Sequence, residues 1–285
     1  MADRPTDYEL YLRVPELLSL QKSAAELSCA DELLFQIIHQ SAELWMKLID
    51  HEMLNVAQLM DRCALIEAQS LLHRIHGIQR LLLDGMELLY TLTPADYMRI
   101  RAVLGRGSGQ ESPGFRRMLA IGGDIWPHFV NLMTKKGVEL VDLYRDPRRH
   151  PDLYAVAEGL TEFDIRLQEW RNRHILLVYR TIGVGTPSLK GKHSELLERG
   201  LRVQFFPELW TVRDQIARRE AIDREHAEQA ALADIGGDDG GGQAVHGSCP
   251  DLCLNKQCVR PHDGRVNKYC GDRRRSSDKP RFSRE

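Results

Sequence analysis

No run in this chain approaches the roughly 18 consecutive apolar residues of a membrane span, so no transmembrane helix is expected. The opening MADRPTDYELYLR carries charges and no apolar h-region, which predicts no secretory signal and makes the cytoplasm the expected compartment. No stretch alternates apolar and polar residues over a useful length, which leaves no candidate strand. Several signatures of chemistry are missing as well. There is no G-x-S-x-G elbow, no G-x-x-x-x-G-K-[ST] phosphate loop and no G-x-G-x-x-G ahead of a helix. H-E-x-x-H is absent, and so is the C-x-x-C-H motif of covalent haem attachment.

What remains is a 285-residue chain, long enough to bury one large core or two small ones. Its net charge of −2 is unevenly spread: residues 246–285 hold ten Lys/Arg against five Asp/Glu, which leaves the first 245 at −7. An acidic main body argues against nucleic acid as the principal partner. Cys29 and Cys63 stand alone in helical segments and read as small buried hydrophobes. The other four cysteines follow IGGDDGGGQ, a linker composition. Their spacing, C-x3-C-x4-C-x11-C, matches no usual C-x2-C pair, so a disordered tail is expected, with a zinc knuckle as the alternative.

Helical periodicity fills the rest. Residues 31–51 place Phe35, Ile38, Ala42, Trp45 and Ile49 on one apolar face, and His39 lies one turn after Phe35. Residues 64–90 carry the stripe Leu72, Ile75, Gln79, Leu82, Met86 and Leu89. Thr93-Pro94-Ala95-Asp96 is a helix start, with an N-cap, a proline at the first helical position and an acid in the first turn. That helix sets Tyr97 and Arg101 one turn apart and ends at Gly105. A helix is expected over 115–145. From 153 to 182, Val156, Leu160, Phe163, Leu167, Trp170, His174 and Leu177 alternate spacings of four and three, a heptad-like seam. A short helix is expected after the loop 183–192, and a charged one follows FFPELW (205–210) to about residue 234. The expected architecture is an all-α helical bundle.

A histidine in an apolar seam needs a hydrogen-bond partner or a metal, so His174 reads either as a satisfied core histidine or as a ligand. Tyr97 and Arg101 read either as a solvated face or as a site for a carboxylate. Taken together, inward histidines on two helices, aromatic neighbours and a Tyr–Arg pair suit an aromatic amino acid held beside a haem.

The segments FQIIHQSAELWMKL, TLTPADYMRIRAVLG, EWRNRH and FFPELW, with the opening DYELYLRVPELLSLQ, resemble the tryptophan 2,3-dioxygenase family over residues 7–215. The resemblance implies an all-α bundle enclosing haem b. It implies that His174 is the proximal iron ligand, that His39 is the distal histidine meeting the indole N–H, and that Phe35 walls the indole. Tyr97 and Arg101 would bind the substrate carboxylate, and Thr186 would lie near the ammonium. Leu104 and Ser108 would line the haem pocket. Tyr8, Tyr11 and Leu12 would reach into a neighbouring subunit's site in a homotetramer. The implied substrates are L-tryptophan, or a substituted tryptophan, and O2, giving N-formylkynurenine. The implied organisation is an arm over 1–20, a haem and substrate domain over 21–234, and a linker and tail over 235–285.

This chain departs from the family in three places. Gln110-Glu111-Ser112-Pro113 replaces a phenylalanine–glutamine–serine run, the region 118–153 is short, and the tail has no counterpart. These departures keep two alternatives open. One is a natural-product monooxygenase converting a tryptophan derivative, such as β-methyltryptophan, to a 2-oxindole. The other is a non-catalytic haem-binding protein.

Overall fold

The apolar stripes become the facing surfaces of four long helices. The computed structural model describes residues 4–105, 107, 109–184 and 203–235. In chain order the helices are α1 (Asp7–Leu12), α2 (Val14–Leu18), α3 (Glu32–Asp61), α4 (Leu65–Leu89), α5 (Pro94–Leu104), α6 (Pro113–Lys136), α7 (Leu140–Arg145), α8 (Pro151–Ile182) and α9 (Pro207–Ile235). Single 3-10 turns lie at Gly109–Glu111 and Pro147–Arg149, and no strand occurs among the described residues. The first of two compact units is Met1–Ala233; the second, Asp234–Glu285, lies outside the described residues beyond Ile235.

Short connections fold α3 back on α4, and α4 packs in turn on α8, while α6 lies against α3 and α5 against α8. The stripe expected on α4 is buried throughout, Gln79 included. The amide of Gln79 donates to the Phe163 carbonyl at 2.9 Å, which lets a polar residue sit in the seam between α4 and α8. Of the α8 seam, Val156, Leu160, Phe163 and Leu167 join the main core. Leu177 joins a second, smaller core with Met86, Leu89, Leu92 and Ile100, against which Phe35 and Trp170 pack.

Two expectations need correction. The helix expected over 115–145 is two helices, because Gly137 turns left-handed (φ 63°) and ends α6. Between α1 and α2 the chain breaks at Arg13, also left-handed (φ 53°), and Pro15 sits in the first turn of α2. Cys63 is exposed rather than buried. It ends α3 in the left-handed region (φ 57°), with its N–H on the Met60 carbonyl and the Ala64 N–H on the Leu59 carbonyl. This pairing is the Schellman helix stop, whose left-handed position usually takes glycine. Cys63→Gly is therefore expected to stabilise the protein by about 0.5–1 kcal/mol, read as a raised urea midpoint at constant slope. The start of α5 follows expectation: Thr93 Oγ1 accepts from the Asp96 N–H at 3.1 Å, and Pro94 opens the helix.

Two buried acids fix segments that periodicity does not describe. Asp164 is fully buried on α8, and its Oδ2 accepts from the Phe205 N–H at 3.0 Å and the Trp210 indole N–H at 2.8 Å. The FFPELW segment is held to α8 in this way. A Cβ on Gly122 would overlap the Phe205 carbonyl, so α6 can lie against the same segment only with glycine there. Glu32, buried at the start of α3, accepts from Lys22 Nζ at 2.6 Å and from the Ser28 N–H. Burial by itself raises this carboxyl, but the Lys22 ammonium and the Ser28 amide outweigh it and hold the pKa down at about 2. A pKa lowered by folding gives stability that is present above the ordinary value of 4.5 and is lost as pH falls from there toward 2. Urea midpoints between pH 7 and 3 are expected to show this loss, and Glu32→Gln is expected to flatten that part of the profile.

Candidate active site

The site is assembled from α3, α5 and α8. Phe35 and His39 are neighbours on α3, with ring centroids 4.0 Å apart, and Tyr97 of α5 lies 6.4 Å from Phe35. Phe35 thus neighbours both the histidine and the tyrosine and packs against the smaller core.

His39 donates from Nδ1 to the Phe35 carbonyl at 2.7 Å. A carbonyl only accepts, so Nδ1 must carry the proton, and in the neutral ring Nε2 keeps its lone pair. Burial lowers the His39 pKa, against smaller opposing effects of the Phe35 carbonyl and the Glu43 carboxylate. The ring is accessible to solvent yet crowded by protein, a combination that fits a group lining a recess. At neutral pH His39 is thus a neutral acceptor aimed away from its own helix.

His174 of α8 is stacked on Trp170, one turn earlier, with centroids 5.8 Å apart and planes 10° from parallel. Its pKa falls to about 4, first because burial disfavours the cation and second because His39 is close enough to repel it. Among the described residues, no hydrogen bond to His174 is found. Opposite it, a Cβ on Gly109 would come within 4.0 Å of His174 Nε2. A neutral imidazole with an uncommitted lone pair, backed by an indole and faced by a bare backbone, is a donor suited to haem iron. The residues present fit that group.

Tyr97 and Arg101 are both half-buried on α5, and one Arg101 guanidinium nitrogen is shut off from solvent. Burial raises the Tyr97 pKa, and nearby Arg101 partly offsets it, so the phenol remains a donor at neutral pH. A phenol O–H beside a guanidinium can take a carboxylate.

The structure therefore brings Phe35, His39, Tyr97, Arg101 and His174 together. Leu104 ends α5 and is exposed, packed beside Gly107. Tyr8, Tyr11 and Leu12 are not brought into this site within the chain; they stand exposed on α1, Tyr11 at 87%. Ser108 and Thr186 lie outside the described residues. The sequence reading set Trp170 one turn before His174 in the same seam but gave it no role of its own at the site. It also passed over Gly109 and Glu43, which reach the site only through contacts between helices.

The profile of the family described as tryptophan 2,3-dioxygenase matches residues 2–125 and 127–216. The chain is 32% identical over 265 residues to the tryptophan 2,3-dioxygenase of Saccharopolyspora erythraea, covering 75% of this chain and 94% of the relative. It is 31% identical over 261 residues to that of Erythrobacter litoralis, covering 73% and 98%. It is 31% identical over 260 residues to that of Caulobacter vibrioides, with the same coverage. The first alignment runs over 265 positions yet uses 75% of the 285 residues here, so the relative has positions that this chain lacks. The profile match breaks at Trp126, inside the region 118–153 that reads as shortened.

Proposed function

Because this chain belongs to the tryptophan 2,3-dioxygenase family, we propose that it is a haem-dependent dioxygenase of the indole ring of L-tryptophan, with N-formylkynurenine as product. The observation that carries this reading is the pair of neutral histidines on α3 and α8, with Phe35, Tyr97 and Arg101 grouped beside them. Haem b, when bound, supplies the activation of O2 that no side chain of this site can perform. His174 is the residue that would ligate the iron, and at Gly109 only backbone lies beside its Nε2.

The remaining steps belong to the protein. The Tyr97 hydroxyl and the Arg101 fork take the α-carboxylate and fix the amino-acid end. Phe35 provides an apolar wall for the indole. His39 Nε2 accepts the indole N–H, because its Nδ1 proton is committed to the Phe35 carbonyl. His39 thus orients the ring and needs no change of charge. Both atoms of O2 enter the product as the C2–C3 bond opens, so the reaction consumes no external reductant.

Tyr8, Tyr11 and Leu12 are exposed on an arm of little internal packing, which supports residues 1–20 docking on a neighbouring subunit of a homotetramer. Residues 21–234 form the catalytic unit, Thr186 and Ser108 contribute to the substrate and haem pockets, and 235–285 form the tail. No helix among the described residues is long and apolar enough to cross a membrane, in keeping with a cytoplasmic enzyme.

The test is turnover of tryptophan by the ferrous, haem-loaded protein under labelled O2. Two labelled atoms in N-formylkynurenine are expected. One labelled atom in a 2-oxindole would replace dioxygenation by monooxygenation, and no turnover of tryptophan or β-methyltryptophan would overturn the enzymatic reading.

A further inference from the structure

One turn beyond His39, α3 carries a carboxylate that substrate binding leaves unused. Glu43 Oε1 accepts from the Ser112 hydroxyl, and its Oε2 accepts from the Gly114 N–H at 2.9 Å. Ser112 is itself the N-cap of α6, its Oγ accepting from the Phe115 N–H at 2.9 Å. Some 70 residues of chain are closed by these contacts, which join α3 to the start of α6. The approach is close: a Cβ on Gly114 would lie 2.6 Å from Glu43 Oε2 and 3.0 Å from Met46 Cβ.

The clamped segment reaches His174 in two ways. The 3-10 turn Gly109–Glu111 leads directly into Ser112, whose N–H bonds the Gly109 carbonyl at 3.2 Å, and Gly109 faces His174 Nε2. On the other side of Ser112, Phe115 packs on Trp170 with centroids 5.7 Å apart, and Trp170 is the ring on which His174 stacks. Glu43 therefore holds a segment that faces His174 directly at Gly109 and reaches it indirectly through Phe115 and Trp170, while standing one turn from His39. A carboxylate suits the place: two donors converge on it, and the helix N-terminus favours negative charge. A glutamine offers one acceptor and would turn its amide N–H toward a donor.

We infer that Glu43 is a positioning residue that sets the separation between the two histidine-bearing helices at the level of the ligand. The inference rests on the proposed role of His174 as the haem ligand. The test uses the full chain with Glu43→Gln, Ser112→Ala and the double variant. Haem titration of the apo-protein, the iron–histidine stretching band of the ferrous form and amide exchange over residues 109–118 are the readouts. Glu43→Gln is expected to weaken haem binding about ten-fold, since supporting contacts around a metal ligand act on that scale. The stretching band is expected to shift, exchange to quicken within 109–118, and the thermal midpoint to stay within about 5 °C. The double variant is expected to be little worse than Glu43→Gln, because both changes open one clamp. Unchanged haem affinity and stretching band would overturn the inference. So would a loss of haem accompanied by faster exchange across α4 and α8 alike, which marks general loosening. A wild-type protein that takes up no haem would instead overturn the proposed function, and this inference with it.

Discussion

Replacing His174 with alanine is expected to remove the haem, with affinity falling by at least about a hundred-fold and the Soret band lost on desalting. The side chain sits at the one point of α8 where the apolar seam gives way to a nitrogen donor. Its neighbours Ile175 and Leu177 are buried and hold the helix in place without it. Far-UV circular dichroism is therefore expected to be unchanged. Exogenous imidazole is expected to restore haem binding in part, because the truncation leaves a space beside Trp170 shaped for that ring. Full retention of the Soret band would show that the iron is held elsewhere.

Arg101→Leu is expected to raise the KM for tryptophan about ten- to hundred-fold while leaving the haem spectrum intact. A charge-assisted contact to a carboxylate contributes roughly 1.5–3 kcal/mol, and leucine offers no donor in its place. The effect falls on binding of the amino-acid end, so an indole derivative without the carboxylate is expected to lose little on the same substitution. An unchanged KM would mean that the carboxylate binds elsewhere. Tyr97→Phe is the milder companion, since it removes one neutral donor from the same pair.

Much of this was legible because helical periodicity is local. Phe35 and His39, Tyr97 and Arg101, and Trp170 and His174 are pairs one turn apart, and a helix places such pairs on one side whatever surrounds them. The Thr93 cap and the α8 seam were readable for the same reason. Where the reading failed, backbone conformation had overridden pattern. Cys63 looked like a core residue by context, but the helix stops there in a left-handed turn and turns the side chain to solvent. Gly137 divides what apolar spacing alone would join.

By itself, then, the sequence determined the helices, their inward faces, the residue types available to the site and, through family membership, the chemistry they serve. The protonation and partners of those residues were decided only in three dimensions. His39 becomes an Nε2 acceptor because its own helix presents the Phe35 carbonyl to Nδ1. His174 stays neutral because burial disfavours a charge there. Glu43 meets Ser112 and Gly114, and Asp164 meets Phe205 and Trp210, across 41 to 71 residues of chain. Such contacts have no period to betray them, because they depend on which helix faces are pressed together once the core has closed.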